Sequence, residues 1–149
     1  MIKIRKAEPS DIPQLETLFL ITRQNTFHWQ SSDKFKLEDF KQATAGETIF
    51  VAEDGGAIVG FISVWEQDPI PFIHHLFVTM DHQKKGVARL LIQHLFAYLP
   101  LPYRLKCVAK NKVALAFYRK TGWLEIGQGI GEDGDYFLLE LPADGRKLV

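Results

Sequence analysis

An apolar stretch with helical spacing covers residues 86–99 and begins with Gly86. It is directly preceded by Lys84 and Lys85. A helix amino terminus carries partial positive charge and N–H groups without partners, so lysines there are unfavourable unless an anion binds beside them. A strand predicted over 71–78 leads into the loop, and glycine lets a ligand approach the backbone closely. A strand, a short loop and a helix start form a common phosphate cradle. The segment therefore predicts a site for a phosphate-bearing ligand, with solvated surface lysines as the alternative.

Two common nucleotide signatures are missing from this loop. It has neither the Gly-x-x-x-x-Gly-Lys-Ser/Thr pattern of a P-loop nor the glycine triplet of a dinucleotide site. The chain also has no overall basic charge, because its 18 lysines and arginines are balanced by 18 aspartates and glutamates. A nucleic-acid partner is therefore not expected.

Length and composition favour one cytoplasmic domain. The chain has 149 residues, of which 46% are hydrophobic, enough for a sizeable core. No apolar run approaches the length of a membrane span, and no signal-peptide pattern follows the charged first residues, so no membrane partner is expected. Cys107 is the single cysteine, which excludes an intrachain disulfide, and we expect it to be a buried thiol. A homodimer is left open.

Hydrophobic periodicity and turn residues predict the elements that position the loop. Strands are predicted over 2–7, 48–54, 57–65, 71–78, 103–109, 123–129 and 135–141. Helices are predicted within 9–27, 34–45, 86–99 and 111–122. Ser10 or Asp11 is expected to cap the first helix and Asn111 the last. The glycines after Asp54 favour a hairpin between the second and third strands.

The order of these elements indicates a mixed α/β domain. A helical pair and a set of antiparallel strands are followed by strand, helix, strand and helix. The helix over 86–99 joins two strands, and strands connected in this way are parallel neighbours. We expect a single domain over 1–142 and a frayed C-terminal tail over 143–149.

Two paired motifs give the chain a family resemblance. The segment Gln83-Lys84-Lys85-Gly86-Val87-Ala88 fits the pattern Gln/Arg-x-x-Gly-x-Gly/Ala, and "NKVALAFYRKTGWLEIG" follows it over 111–127. Together they resemble the GNAT superfamily of acyl-coenzyme A-dependent N-acyltransferases, over 2–141 in element order and most strongly over 72–127. The resemblance implies an α/β fold of the α+β type, with a central mixed, mostly antiparallel sheet and helices on both faces.

The resemblance implies acetyl-CoA or coenzyme A as co-substrate, with no metal. The family splays the strand before the loop from the next strand, and the pantetheine arm pairs with exposed backbone there, here at Phe77 and Val78. The residues implied to hold the pyrophosphate are Gln83, Lys84, Lys85, Gly86, Val87 and Ala88. Asn111, Phe117 and Tyr118 would flank the arm and the thioester. Both positions between Gln83 and Gly86 are lysine, where the family often has a glycine.

Acyl transfer to an amine needs a general acid for the departing thiolate. Tyr118 matches the family's tyrosine at that place, and a phenol with an unperturbed pKa of ~10 is protonated at neutral pH. The alternative is that Tyr118 only packs beneath the co-substrate. A backbone N–H near Val78 could polarise the thioester carbonyl.

The general base is expected on the strand over 71–78. Strand alternation places His74 on the same side as Val78, which marks the co-substrate side in the family, and His75 on the opposite side. An imidazole suits a proton acceptor at neutral pH. Glu53, Glu66 and a chain of waters are weaker alternatives. Because the two histidines are expected to point apart, no metal site is predicted.

Aromatic residues are candidates for the walls of the acceptor site. Phe27 and Trp29 lie between the first two helices, where the family often builds such a wall, and Trp65 ends a strand. Aromatic packing under a loop is the alternative for each of them. The acceptor itself is expected to be a small-molecule or peptide amine.

The resemblance implies an N-acetyltransferase that moves an acetyl group, or another acyl group, from acetyl-CoA to a primary amine through a tetrahedral intermediate. One alternative is a non-catalytic CoA-binding module or sensor of the same fold. Another is a protein that binds a different phosphate ligand, such as a nucleotide.

Overall fold

The computed structural model describes residues 1–149, except for the side chains of residues 147 and 148. The predicted seven strands and four α-helices are present in the predicted order. The strands are β1 (Ile2–Lys6), β2 (Thr48–Asp54), β3 (Ala57–Trp65), β4 (Phe72–Val78), β5 (Tyr103–Val108), β6 (Leu124–Gly131) and β7 (Gly134–Leu141). The helices are α1 (Ile12–Thr26), α2 (Asp39–Ala43), α3 (Val87–Tyr98) and α4 (Lys112–Lys120). Short 3-10 helices cover Pro9–Asp11, Ser32–Lys34, Met80–His82 and Gly145–Leu148.

All strands belong to one sheet, in the order β1-β2-β3-β4-β5-β7-β6. Neighbouring strands are antiparallel except β4 and β5, which are parallel as the crossover through α3 requires. Their ladder is short, since only Phe72 with Arg104 and Ile73 with Leu105 are in register. Beyond Ile73 the two strands diverge, and a cleft opens in the middle of the sheet.

Helices cover both faces of the sheet. Leu91 and Leu95 of α3 and Leu115 of α4 belong to one apolar cluster with the strands. On the other face, Leu15 and Phe19 of α1 pack in a second cluster. Among the helices that the structure describes, none is long and apolar enough to cross a membrane. The prediction of a central mixed, mostly antiparallel sheet with helices on both faces is confirmed.

The start of α1 differs in detail from the prediction. The helix buries the residues expected from the sequence, Leu15, Leu18, Phe19 and Thr22. Asp11 comes directly before it, but its carboxylate does not cap α1. The two carboxylate oxygens accept hydrogen bonds from the Arg5 guanidinium at 2.8 and 2.9 Å, and one also accepts from the Glu8 backbone N–H at 2.7 Å. Asp11 therefore ties β1 to the helix start.

The helix predicted over 34–45 is shortened to Asp39–Ala43. The Asp39 carboxylate accepts a hydrogen bond from the Lys36 backbone N–H at 2.9 Å and from Arg23 at 3.2 Å. A side chain that bonds the backbone locally fixes a turn, so the helix begins only after Lys36. It ends before Gly46, whose φ of +79° lies in the left-handed region.

The C-terminal segment, which was predicted to fray, packs on α3. Gly145 is buried, and Gly145–Leu148 form a 3-10 helix. The Arg146 guanidinium donates to the Phe96 carbonyl at 2.9 Å, and Gln93 donates to the Val149 carbonyl at 3.0 Å. Hydrogen bonds to a distant helix leave no sequence pattern, which is why the prediction missed them.

Candidate active site

The cleft between β4 and β5 holds a cavity of about 340 Å³. Its wall is formed by β4, β5, the start of α4, the turn between β6 and β7, and Phe27 after α1. The polar or reactive side chains in the wall are His74, His75, Lys106, Cys107, Asn111, Tyr118, Glu132, Asp133 and Tyr136. The cavity therefore brings together the two residues predicted as base and acid, His74 and Tyr118.

A bulge in β4 places both of its histidines at the cavity. The register with β3 pairs Ser63 with His75 but Val64 with Ile73, so His74 is an extra residue. An extra residue in one strand interrupts the alternation of side chains. The rings of His74 and His75 lie 6.2 Å apart, and both contribute to the cavity wall. The prediction that they point to opposite faces was wrong.

His75 is held by packing contacts. Its ring meets Phe19 edge-on at 5.1 Å and stacks on Phe77 at 6.3 Å. Its Nε2 lies 3.3 Å from the Ala43 carbonyl oxygen, so the Nε2–H tautomer donates there. Burial lowers the pKa of His75, and the nearby Glu47 carboxylate opposes that shift. The ring therefore favours the neutral form.

His74 is the more accessible of the two histidines, with 39% of its side chain exposed. Its Nδ1 is hydrogen-bonded to the Glu47 carboxylate, and its ring stacks on Trp65 at 6.3 Å. Among the described residues, no hydrogen-bond partner meets its Nε2. A histidine that donates from Nδ1 presents the Nε2 lone pair, which is the form a proton acceptor needs.

Glu47 carries no signal in the sequence that predicts a role at this site. Its side chain is 3% exposed, and its second carboxylate oxygen accepts a hydrogen bond from Ser63 Oγ. Glu47 and His74 are 27 residues apart in the chain. Only the pairing of β2 with β3 and of β3 with β4 brings them together, and no short motif signals that contact.

The other carboxylates considered as bases are engaged elsewhere. Glu53 accepts hydrogen bonds from Arg5 at 3.0 and 3.1 Å. Glu66 accepts a hydrogen bond from Thr48 Oγ1. Neither glutamate belongs to the cavity wall in the described structure. Both therefore drop out as bases at this cavity.

Tyr118 lies on the inner face of α4, between Phe117 at 5.4 Å and Trp123 at 5.5 Å between ring centres. Burial raises the pKa of Tyr118 well above its usual value, and the neighbouring Cys107 adds to the shift. Burial also raises the pKa of the Cys107 thiol to about 11. Both groups are protonated at neutral pH, so Tyr118 keeps its hydroxyl proton and Cys107 is a poor nucleophile.

The other residues of the second motif divide between cavity and core. Asn111 caps α4 as predicted, since its side chain accepts a hydrogen bond from the Ala114 backbone N–H at 3.3 Å. Both residues line the cavity. Phe117 is partly buried against the core cluster and lies outside the described cavity wall.

The loop predicted to bind phosphate follows the diverging end of β4. Gly86, at the start of α3, has a φ of +84°, and Lys84 has a φ of +64°. Left-handed residues in a loop can turn neighbouring N–H groups toward one point. Within the described structure, the backbone N–H groups of residues 84–89 have no acceptor. Lys84 and Lys85 are exposed beside them, and the arrangement suits an anion.

Two other residues of the loop motif take structural positions. Gln83 turns back to β4, and its Nε2 donates to the Val78 carbonyl at 3.0 Å. Val87 is buried in the core beneath the helix start, whereas Ala88 is half-buried. Beyond Ile73, the described β4 backbone has no strand partner on its β5 side. That open edge includes Val78, whereas the Phe77 carbonyl faces β3.

The predicted acceptor walls are only partly assembled. Phe27 lines the cavity, but Trp65 lies outside the described wall, stacked on His74. Trp29 Nε1 donates to the Asp133 carbonyl at 3.3 Å. Gln30 donates to the Asp133 side chain at 2.9 Å. These bonds tie the segment after α1 to the turn between β6 and β7, whose role sequence reasoning missed because 104 residues separate Trp29 and Asp133.

Comparisons with known proteins concern the family and the fold of this chain. A family model described as the acetyltransferase (GNAT) family matches residues 14–123. A probable N-acetyltransferase 14 from Danio rerio is 30% identical over an alignment of 110 residues, which covers 62% of this chain and 36% of that protein. The chain therefore spans much less than the length of this curated relative.

Solved structures share the whole architecture. PaiA N-acetyltransferase from Thermoplasma acidophilum, in complex with coenzyme A, has a TM-score of 0.77 at 18% identity, covering 94% of this chain and 98% of that one. The ribosomal-protein-S18-alanine N-acetyltransferase from Escherichia coli has a TM-score of 0.74 at 21% identity, covering 96% and 94%. At these identities the likeness shows the fold.

Proposed function

This chain belongs to the GNAT acetyltransferase family, and on that premise we propose that it is an N-acetyltransferase that moves an acetyl group from acetyl-CoA to a primary amine. The observation that carries the proposal is the divergence of β4 and β5 after Ile73. The cavity at this gap contains Tyr118 and His74, and the anion-accepting loop follows the diverging end of β4. A long ligand with phosphates at one end and a thioester at the other suits such a gap.

Acetyl-CoA is the co-substrate in this proposal. The free N–H groups of residues 84–89 and the charges of Lys84 and Lys85 would hold its pyrophosphate. The pantetheine amides would pair with the open edge of β4 at Val78, as an added strand does. The complex of PaiA with coenzyme A supports this choice of ligand.

The side chains at the cavity supply the proton transfers. His74 Nε2 takes a proton from the acceptor ammonium, directly or through water, and frees the nitrogen lone pair. Attack on the thioester carbonyl gives a tetrahedral intermediate, whose oxyanion a backbone N–H near Val78 stabilises. The carbon–sulfur bond then breaks, and the Tyr118 hydroxyl protonates the departing thiolate. No bond to the enzyme forms, in keeping with the protonated state of Cys107.

The acceptor is a small-molecule or peptide amine that enters beside Phe27. The bonds from Trp29 and Gln30 to Asp133 close the neighbouring side of the cavity. Trp65 supports His74 from behind by stacking on its ring. In this proposal the amine approaches the thioester along the aromatic side of the cleft.

Turnover and binding measurements together test the proposal. The protein is incubated with acetyl-CoA and a panel of small amines, amino acids and peptides, and released thiol and acetylated product are measured. We expect thiol release with at least one amine. Thermal shifts compare coenzyme A with ATP and NAD, and coenzyme A at ~100 times its Kd should stabilise the fold by about 2.7 kcal/mol. Coenzyme A binding without turnover would support a non-catalytic sensor, and preference for ATP or NAD would contradict both functions.

A further inference from the structure

Glu47 is a buried carboxylate without a lysine or arginine partner among the described residues. Its side chain is 3% exposed, yet the described lysines and arginines form no ion pair with it. Its hydrogen bonds are to Ser63 Oγ, from a fully buried serine, and to His74 Nδ1. Burying a carboxylate is unfavourable unless neighbouring groups compensate for its lost hydration. The buried Glu47 carboxylate contacts His74, whose side chain is partly exposed. This contact indicates that the two side chains act together.

We propose that Glu47 is a positioning residue for His74, an inference that rests on the N-acetyltransferase function proposed above. Its carboxylate holds His74 as the Nδ1–H tautomer and leaves Nε2 as the proton acceptor. When Nε2 takes a proton, the adjacent carboxylate stabilises the imidazolium. Ser63 fixes the carboxylate from the other side.

The protons balance with this assignment. The acceptor ammonium loses one proton to His74 Nε2 before it attacks, and the bound nitrogen loses a second as the amide forms. The thiolate takes one proton from Tyr118, the second nitrogen proton restores the Tyr118 hydroxyl, and the proton on His74 is released, so each turnover releases one proton to water. The 39% exposure of the His74 side chain gives that proton a path to solvent.

The surroundings of His74 contain few competing charges. Glu47 approaches from the segment before β2, and His75 is the neighbouring titratable group on β4. Arg23 of α1 acts on His75 and lowers its pKa further, after burial and the neighbouring imidazole of His74. Trp65 of β3 and Phe72 of β4 contribute uncharged ring faces. Glu47 is therefore the carboxylate in direct contact with His74.

The test compares Glu47→Gln with the matched control Glu66→Gln. Glutamine keeps the shape and an acceptor oxygen but loses the charge, so NMR of labelled histidine should show a smaller fraction of the Nδ1–H tautomer of His74 in Glu47→Gln. Both kcat and kcat/KM should fall by at least about tenfold. The KM for acetyl-CoA should not change. Glu66→Gln, whose carboxylate meets Thr48, should match the wild type in all four measurements.

Ser63→Ala provides a second variant if Glu47→Gln folds poorly. It should change the fraction of the His74 Nδ1–H tautomer in the same direction by a smaller amount, because the carboxylate keeps its charge but loses one anchor. Wild-type turnover combined with an unchanged His74 tautomer in both variants would overturn the role of Glu47 alone. A wild-type protein that neither binds coenzyme A nor transfers acetyl would overturn the proposed function, and the catalytic role of Glu47 with it.

Discussion

Tyr118 and Cys107 lie in the cavity wall near the proposed position of the thioester. Because they are buried, both side chains bind their protons more tightly. Burial raises the pKa of Tyr118 and brings the pKa of Cys107 to about 11, above the usual 9.0 of a thiol. A coenzyme A thiolate released into the same surroundings would be desolvated as well, and its proton affinity would rise. Tyr118 can therefore protonate that thiolate although it is a weaker acid than a free tyrosine.

Tyr118→Phe should lower kcat by roughly 10²–10⁴-fold, the usual value of one positioned general acid. The ring and its packing remain, so coenzyme A affinity and the fold should change little. Tyr103→Phe is the matched control, because the Tyr103 hydroxyl donates to the Leu99 carbonyl at 2.7 Å away from the cavity. Tyr103→Phe should be less stable than the wild type but should have the same kcat. A Tyr118→Phe variant within about twofold of wild type in kcat would show that Tyr118 only packs.

Cys107 should make the fold less stable at alkaline pH. Its pKa is 9.0 as an ordinary thiol and about 11 in the folded protein, so the folded state holds the proton more tightly. The resulting stabilisation is complete below pH 9.0 and is lost as pH rises through about 11. Between these values the wild type should lose about 2–3 kcal/mol more than Cys107→Ala in the free energy of unfolding. Urea titrations at several pH values measure this, and equal slopes would contradict it.

At the scale of elements, the sequence predicted those features of the fold that depend on neighbouring residues in the chain. The apolar spacing of α3 and the capping residue Asn111 are local, and both helices start within a residue of the predicted position. The bulge at His74 depends on how β4 pairs with β3, so simple alternation wrongly placed His74 on the side of Val78, whereas it lies on the side of His75. Glu47 and Asp133 reach the site through contacts across the sheet. Long-range pairing therefore decided the part of the site that the sequence did not predict.

The loop before α3 should lose coenzyme A binding in Gly86→Glu while the fold survives. A side chain at Gly86 meets no atom within 4 Å, so the substitution adds only the strain of its φ of +84°. That strain is about 1–2 kcal/mol, and the new carboxylate would face the phosphates. Gly55→Glu in the β2–β3 hairpin is the control, with a φ of +59° and equally open space. Calorimetry should show lost affinity in the first variant only, and intact affinity in both would refute the cradle.

Lys84 is a non-glycine residue with a left-handed φ of +64°. Lys84→Gly should therefore raise the free energy of unfolding by roughly 0.5–1 kcal/mol, since relief of strain exceeds the added entropy of the unfolded chain. Lys85→Gly removes the same charge from a residue without that strain and should be slightly destabilising. Chemical denaturation of the two variants separates strain from charge. Equal losses of stability would show that Lys84 is not strained.

At the scale of the whole molecule, the sheet consists of two halves joined by a short ladder. Strands β1 to β4 form one half and β5, β7 and β6 the other, with two parallel residue pairs between them. The apolar cluster under α3 and α4 spans both halves, because Ile73 of β4 and Leu105 of β5 belong to it. The core therefore holds the halves together at one end of β4, while the other end leaves its backbone open.

Binding of coenzyme A should close that open edge, and amide hydrogen exchange can measure it. If the pantetheine arm pairs with β4 as an added strand, those N–H groups of residues 74–78 that face β5 should exchange more slowly with ligand than without it. The N–H groups of residues 84–89 should also be protected, because the phosphates give them acceptors. Amides of β1, at the far edge of the sheet, are the internal control and should not change.

Gly86→Glu should abolish both effects at the same ligand concentration. Protection of the loop without protection of β4 would mean that the ligand binds by its phosphates alone, and the cleft between β4 and β5 would then not be the path of the pantetheine arm.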